Sequence, residues 1–244
     1  MSTKLKIAAA VAAAVLLSAC SSPKHEPMPL VNFTPSMEVT EVWSKGLSSA
    51  EGFLVPAVYD DMVFAAGGKT LTRLNARTGE TEWSVSFDSP ITGGVGSDGY
   101  VTAVGLWDGN LEVVDAEGKV SWEKKLTTEL ASPPVVSHGL VIARTMDTRV
   151  SAFEASSGEL QWTYQKSQPA LTVRLPTRML AHDNFLLVGQ PNGHIVILDI
   201  ASGKPVFEFQ VAQAKGVTEV ERLVDVVGAP AFSENIVCAA AFQG

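Results

Sequence analysis

Four tryptophans, Trp43, Trp83, Trp122 and Trp162, recur at intervals of 40, 39 and 40 residues, and Phe207 takes the fifth place 45 residues on. A period near 40 restricts the chain to repeat architectures in which each unit buries its apolar surface against the next. Ahead of the last four aromatic positions stands the same short pattern. It reads Leu74-Asn75-Ala76-Arg77-Thr78-Gly79-Glu80-Thr81-Glu82-Trp83 in the first unit and Val114-Asp115-Ala116-Glu117-Gly118-Lys119-Val120-Ser121-Trp122 in the second. The third and fourth are Phe153-Glu154-Ala155-Ser156-Ser157-Gly158-Glu159-Leu160-Gln161-Trp162 and Leu198-Asp199-Ile200-Ala201-Ser202-Gly203-Lys204-Pro205-Val206-Phe207. Gly79, Gly118, Gly158 and Gly203 sit where a hairpin requires positive φ, which a residue without Cβ adopts freely. Each unit is therefore strand, tight turn, strand.

Upstream of each pair the sequence predicts another strand, over 62–66, 100–104, 140–144 and 185–188, opened by Asp60-Asp61, Asp98-Gly99, His138-Gly139 or Asp183-Asn184. Runs such as Pro133-Pro134-Val135-Val136 supply one more strand per unit. Four short strands in about 40 residues define a propeller blade, so the expected class is an all-β propeller of four-stranded blades. The blade repeats are expected near 59–87, 92–126, 131–165 and 175–211, with an incomplete unit from 228, inside a partial propeller over 37–244. The tryptophan follows the glycine turn instead of ending the preceding strand, a placement that resembles the quinoprotein-type blade. In that blade the indole docks one unit on the next, which makes Trp83, Trp122 and Trp162 expected packing residues. Trp43 is read as part of an outermost strand without inner strands before it, and 235–243 as an inner strand without partners after it, so the propeller is expected to be incomplete at its C-terminal end.

The N-terminus carries a separate message. Lys4 and Lys6 precede an uncharged apolar run of 11 residues, 7–17, which leads into Leu17-Ser18-Ala19-Cys20. Such a run is too short to cross a hydrocarbon layer of ~30 Å as a helix and has the form of a signal peptide, here residues 1–19. The leucine, two small residues and cysteine resemble a bacterial lipobox, in which Cys20 is acylated and becomes the new N-terminus. By the same resemblance Ser21, in place of an aspartate, directs the protein to the outer membrane. Residues 20–36 contain Pro23, Pro27, Pro29 and Pro35 without periodicity and read as a tether.

Cleavage removes Lys4 and Lys6 and moves the formal charge from −8 to −10. An acidic chain without a basic stripe argues against nucleic acid as a partner. Cys238 is left without an intrachain partner, excluding a disulfide framework, and its apolar setting reads as packing. His25, His138, His182 and His194 are scattered without zinc spacing, and no metal site is predicted. Gly93-Gly94-Val95-Gly96 is followed by neither lysine nor helix and does not read as a phosphate loop. No nucleophile with its base and no paired-carboxylate cleft is visible, so no cofactor and no enzymatic activity are expected. A periplasmic quinoprotein-like enzyme or a ligand-binding propeller is the alternative.

Two segments interrupt the repeat: Pro169-Ala170-Leu171-Thr172-Val173-Arg174-Leu175-Pro176, and 215–228, which contains Gly216-Val217-Thr218-Glu219-Val220-Glu221-Arg222-Leu223-Val224-Asp225. Insertions in repeat folds gather on one face, commonly the binding face. With the lipobox, Asn32-Phe33-Thr34-Pro35 in the tether and the blades, these two segments resemble the BamB family of outer-membrane β-barrel assembly lipoproteins. The resemblance implies an eight-bladed propeller, about half of it present here. It implies a non-enzymatic scaffold on the periplasmic side of the outer membrane that belongs to the BAM complex and docks on BamA. Carried over by position, Leu171 and Val173 are apolar anchors, Arg174 a charged contact and Asp225 an acid on the neighbouring loop. The chain departs from the family at Val173, where leucine is usual, and at Val227, where a second acid is common. The alternative for the charged pair is that Arg174 and Asp225 bind each other. Presentation of strand edges to unfolded outer-membrane proteins, by β-augmentation, completes the expectations.

Overall fold

The computed structural model describes residues 31, 34, 36–49, 54–167, 169, 171–173, 175, 177–233 and 236–242. The expected signal peptide, Cys20, most of the tether and Arg174 lie outside the described residues. The chain divides into two units, Met1–Thr40 and Glu41–Gly244, and every strand among the described residues belongs to the second.

The first blade is the antiparallel sheet β1 (Ala57–Tyr59), β2 (Met62–Gly67), β3 (Thr70–Asn75) and β4 (Thr81–Ser86). The second is β5 (Ile91–Ser97), β6 (Thr102–Leu106), β7 (Asn110–Val114) and β8 (Val120–Lys125). The third comprises β9 (Val135–Ser137), β10 (Leu140–Arg144), β11 (Val150–Glu154) and β12 (Leu160–Tyr164), and the fourth β13 (Leu180–His182), β14 (Phe185–Gln190), β15 (His194–Asp199) and β16 (Pro205–Gln210). A hairpin of β17 (Val226–Ser233) and β18 (Ile236–Ala241) follows. Strand order within each four-stranded sheet equals chain order, as in propeller blades.

The two middle strands of a blade are buried on both faces. Every residue of β6 and β10 is buried, which explains why they read as unbroken apolar runs instead of alternating ones. The faces meet between neighbours. Leu140, Ile142, Val150 and Ala152 of the third blade pack on Leu186, Val188, Val196 and Leu198 of the fourth. Phe64 and Leu71 of the first blade pack with Val95 and Val104 of the second. Outer strands β4 and β8 alternate between exposed and half-buried residues, because they have a partner blade on one side of the pleat and solvent on the other.

One difference from the sequence reading has a local cause. The strand expected over 100–104 begins at Thr102, because the Asp98 carboxylate accepts the N–H groups of Tyr100 (3.0 Å) and Val101 (2.8 Å) and draws both into the turn. The reading of Trp43 as a strand residue is also corrected: residues 41–49 have no ladder partner among the described residues.

The repeating turn explains the repeating sequence. Asn75 Oδ1 accepts from the amides of Arg77 and Thr78, Asp115 Oδ1 from Glu117 and Lys119, and Asp199 Oδ1 from Ser202. A short side-chain oxygen at the head of the turn thus replaces ladder partners that the backbone loses there. The following residue gives its carbonyl to an indole. Trp43, Trp83, Trp122 and Trp162 donate their Nε1–H to Ala76, Ala116, Ala155 and Ile200 at 2.8, 2.9, 2.8 and 2.9 Å. Each ring lies flat on the turn glycine of that next blade: Trp43 on Gly79, Trp83 on Gly118, Trp122 on Gly158 and Trp162 on Gly203. The glycine is required twice, by φ between 69° and 85° and by the ring against its Cα.

Gly158→Ala is expected to cost about 2–4 kcal/mol in urea unfolding, because a Cβ there would sit 2.8 Å from Trp122 Cδ2 and the residue would hold a left-handed conformation. In a Trp122→Ala background the steric part disappears, so the two substitutions should be less than additive; strict additivity would show that the ring does not rest on the glycine. The glycines at 93–96 have a related role. They form the innermost strand β5, where the Pro133-Pro134 segment of the next blade approaches so closely that a Cβ at Gly96 would collide with the Pro134 carbonyl oxygen.

Candidate functional site

Antiparallel order places the β2–β3, β6–β7, β10–β11 and β14–β15 turns at one end of the blades, together with the connections from one blade to the next. Two of those connections are long, residues 165–179 and 211–225, and they carry the two segments that interrupt the repeat. Within the second, residues 215–225 are turns and irregular backbone; the expected loop stops there, because Val226, Val227 and Gly228 begin β17.

The two connections are stitched together by Asp225. This carboxylate is only 6% exposed, and its Oδ2 accepts the Val173 N–H at 2.5 Å while its Oδ1 accepts the Asn192 N–H at 3.3 Å. Further along, Thr177 bridges Gly228 in parallel register, and the Arg178 N–H donates to the Gly228 carbonyl at 2.9 Å. Buried and held by amides, Asp225 fixes the path of the 171–173 segment and presents little charge to solvent. Behind it lies Arg144, the last residue of β10, which the sequence reading did not single out. Its Nη1 donates to Thr177 Oγ1 at 3.1 Å. Burial pulls the guanidinium down to about 10, with the Asp225 charge acting in the opposite direction, so Arg144 stays charged at neutral pH.

On the solvent side, Leu171 is 41% and Leu175 43% exposed, while Val173 is half-buried. The second connection adds apolar surface unforeseen from the sequence. Glu221 accepts the N–H groups of Val217 and Thr218, both at 3.0 Å, and its own N–H donates to Thr218 Oγ1 at 3.3 Å. These bonds, led by the Thr218 amide, hold the Glu221 carboxyl below its usual range and close a turn from which Val217, 95% exposed, and Val220 project. Thr218 followed three residues later by Glu221 is the capping-box spacing, a signal in the sequence that went unused. The end of the blades therefore carries leucines and valines on backbone that carboxylates hold in place. Among the described residues no three His, Cys, Asp or Glu side chains converge as metal ligands, and no helix is long and apolar enough to cross a membrane.

Residues 67–244 match the family model described as outer membrane protein assembly factor BamB. The protein of that name from Burkholderia pseudomallei is 39% identical over 242 residues, covering 97% of this chain and 64% of the relative. Its Bordetella pertussis counterpart is 34% identical, over 93% of this chain and 61% of its own length. The chain thus spans somewhat less than two thirds of these relatives. Among solved structures, BamB from Moraxella catarrhalis superposes with a TM-score of 0.71 at 29% identity, over 78% of this chain and 59% of that one. The chain belongs to the family of outer membrane protein assembly factor BamB.

Proposed function

We propose that this chain is a non-enzymatic scaffold lipoprotein of the outer-membrane β-barrel assembly machinery, held at the periplasmic face of the outer membrane through Cys20 and docking on BamA through the 171–175 segment. The observation that carries the reading is the pairing of exposed Leu171 and Leu175 with backbone fixed by buried Asp225. An interface needs apolar anchors that lose little entropy on binding, and a segment already held in place supplies them. Leu171 is the central anchor, Val173 the residue that ties the segment down, and Arg174 a flanking charge. Asp225 acts by positioning, and Val217 and Val220 widen the apolar surface. As part of the BAM complex, the scaffold would orient BamA while unfolded outer-membrane proteins are inserted. The relatives' name, outer membrane protein assembly factor, supports this reading over a quinoprotein-like enzyme.

Leu171→Asp is the first test, in a pull-down from detergent-solubilised outer membranes. Loss of an anchor worth about 2 kcal/mol corresponds to recovery of BamA reduced roughly thirty-fold. The substituted side chain is solvent-exposed, so the thermal transition should stay where it is. Undiminished recovery would remove this segment from the interface. Exchange of residues 1–20 for a cleavable signal peptide without the cysteine is expected to release the chain into the soluble periplasmic fraction, since the acylated cysteine is the proposed membrane anchor.

A further inference from the structure

Beneath the 171–173 segment lies a cavity of about 140 Å³, bounded by the third blade, the fourth blade and the start of β17. Arg144 and Gln190 line it, and each is only 4% exposed. The Arg144 Nε and the Gln190 Nε2 are both buried without a hydrogen-bond partner. Nine in ten or more buried polar groups find a partner, so two unmet groups on one small cavity mark a place built for something else. Both unmet groups are donors, which selects a ligand of acceptor oxygens. One donor belongs to a guanidinium, which favours a charged acceptor, and two donors from separate side chains suit an anion with two oxygens. Asp225, on the same wall, accepts the Val173 and Asn192 amides and acts on Arg144 through its charge, while the Arg144 Nε–H and the Gln190 side-chain amide are left without a hydrogen bond.

Size narrows the ligand further. Cofactor and drug-sized sites occupy about 300–1,000 Å³, so this cavity takes a functional group and little more. We propose that the cavity is a carboxylate-binding site in which the Arg144 Nε–H and the Gln190 side-chain amide donate to the two ligand oxygens. The carboxylate has two possible sources, a free short-chain acid or an aspartate or glutamate side chain from a protein docked above the cavity. The first source is independent of the docking reading; the second rests on it.

The test follows the Arg144 Nε–H and Gln190 side-chain amide resonances of the whole chain by nitrogen–proton NMR. Sodium acetate is added to one sample and equimolar sodium chloride to another. Saturable movement of both resonances in acetate, absent in chloride, is expected. Gln190→Leu should weaken acetate about ten-fold or more, the loss expected for a hydrogen bond to a charged group, and Arg144→Met should abolish the response. If Arg144→Met fails to fold, Gln190→Leu still decides. Equal responses to acetate and chloride, no response, or equal responses of wild type and Gln190→Leu would overturn the proposal and leave the cavity to water. A peptide carrying one glutamate, compared with its glutamine counterpart, distinguishes the sources: preference for glutamate over acetate identifies a protein side chain, and binding of acetate without the peptide identifies a free acid. Leu171→Asp should leave the acetate response intact, so failure of the docking reading and failure of this one are separable.

Discussion

Trp162→Ala is expected to lower stability by about 3–5 kcal/mol, measured as a shift in the urea midpoint with little change in slope. Trp162 is buried between the third and fourth blades, among Leu140, Ile142, Leu198 and Ile200. Its loss opens a cavity there and leaves the Ile200 carbonyl without the indole donor. Trp162→Phe separates the two contributions, since it retains most of the ring packing and removes the hydrogen bond, worth about 1 kcal/mol. The alanine effect should therefore exceed the phenylalanine effect severalfold. Values below about 1 kcal/mol for alanine would mean that the indoles do not hold the blades together.

The second large effect is expected at Glu112, a buried carboxylate at the centre of β7 between Leu111 and Val113. Burial pushes its carboxyl up from 4.5 to about 7, and the neighbouring charges of Glu123, directly across the ladder on β8, and of Asp108 and Asp88 push the same way. A carboxyl raised on folding makes the native state bind more protons than the unfolded chain between those two values. This group's contribution is thus most favourable below pH 4.5 and is lost as pH rises through about 7. That rise corresponds to on the order of 3 kcal/mol. Glu112→Gln should stabilise the protein by approximately that amount at pH 8 and by much less at pH 5. Carboxyls held low on folding, Asp147 and Glu208 among them, act in the opposite sense, so the difference curve between variant and wild type is the informative quantity. A difference that does not change between pH 5 and 8 would contradict the account.

Both effects show what the sequence could and could not disclose. The indole docking was legible through the resemblance to the quinoprotein-type blade and because it repeats: four aromatic positions, four turn glycines and, two or three residues before each glycine, the residue whose carbonyl the ring reaches. Strand β10 was legible to the residue, since Leu140-Val141-Ile142-Ala143-Arg144 lies between a glycine turn and Thr145. The innermost strands β1, β9 and β13 are three residues long, too short for any period to show, and their pairing is decided by the neighbouring strand. Glu112 and Arg144 each stand as one charge within an apolar strand, a signal that sequence reading passes over because it marks no motif. At the candidate site, Leu171, Val173 and Asp225 came from family resemblance, and their arrangement did not. Val173 and Asp225 are 52 residues apart, and only the folded chain places a backbone amide on that carboxylate. A role as a surface acid is the natural reading of an aspartate in a loop; burial makes it a strut instead.

Docking on BamA through the 171–175 segment is the central claim, and site-specific photocrosslinking tests it most directly. A benzophenone side chain placed at Leu171 in cells should yield an adduct with BamA. The same group at Ser156, exposed on a turn at the opposite end of the blades, should yield none. An adduct from Ser156 without one from Leu171 would place the partner on the other face and contradict the account.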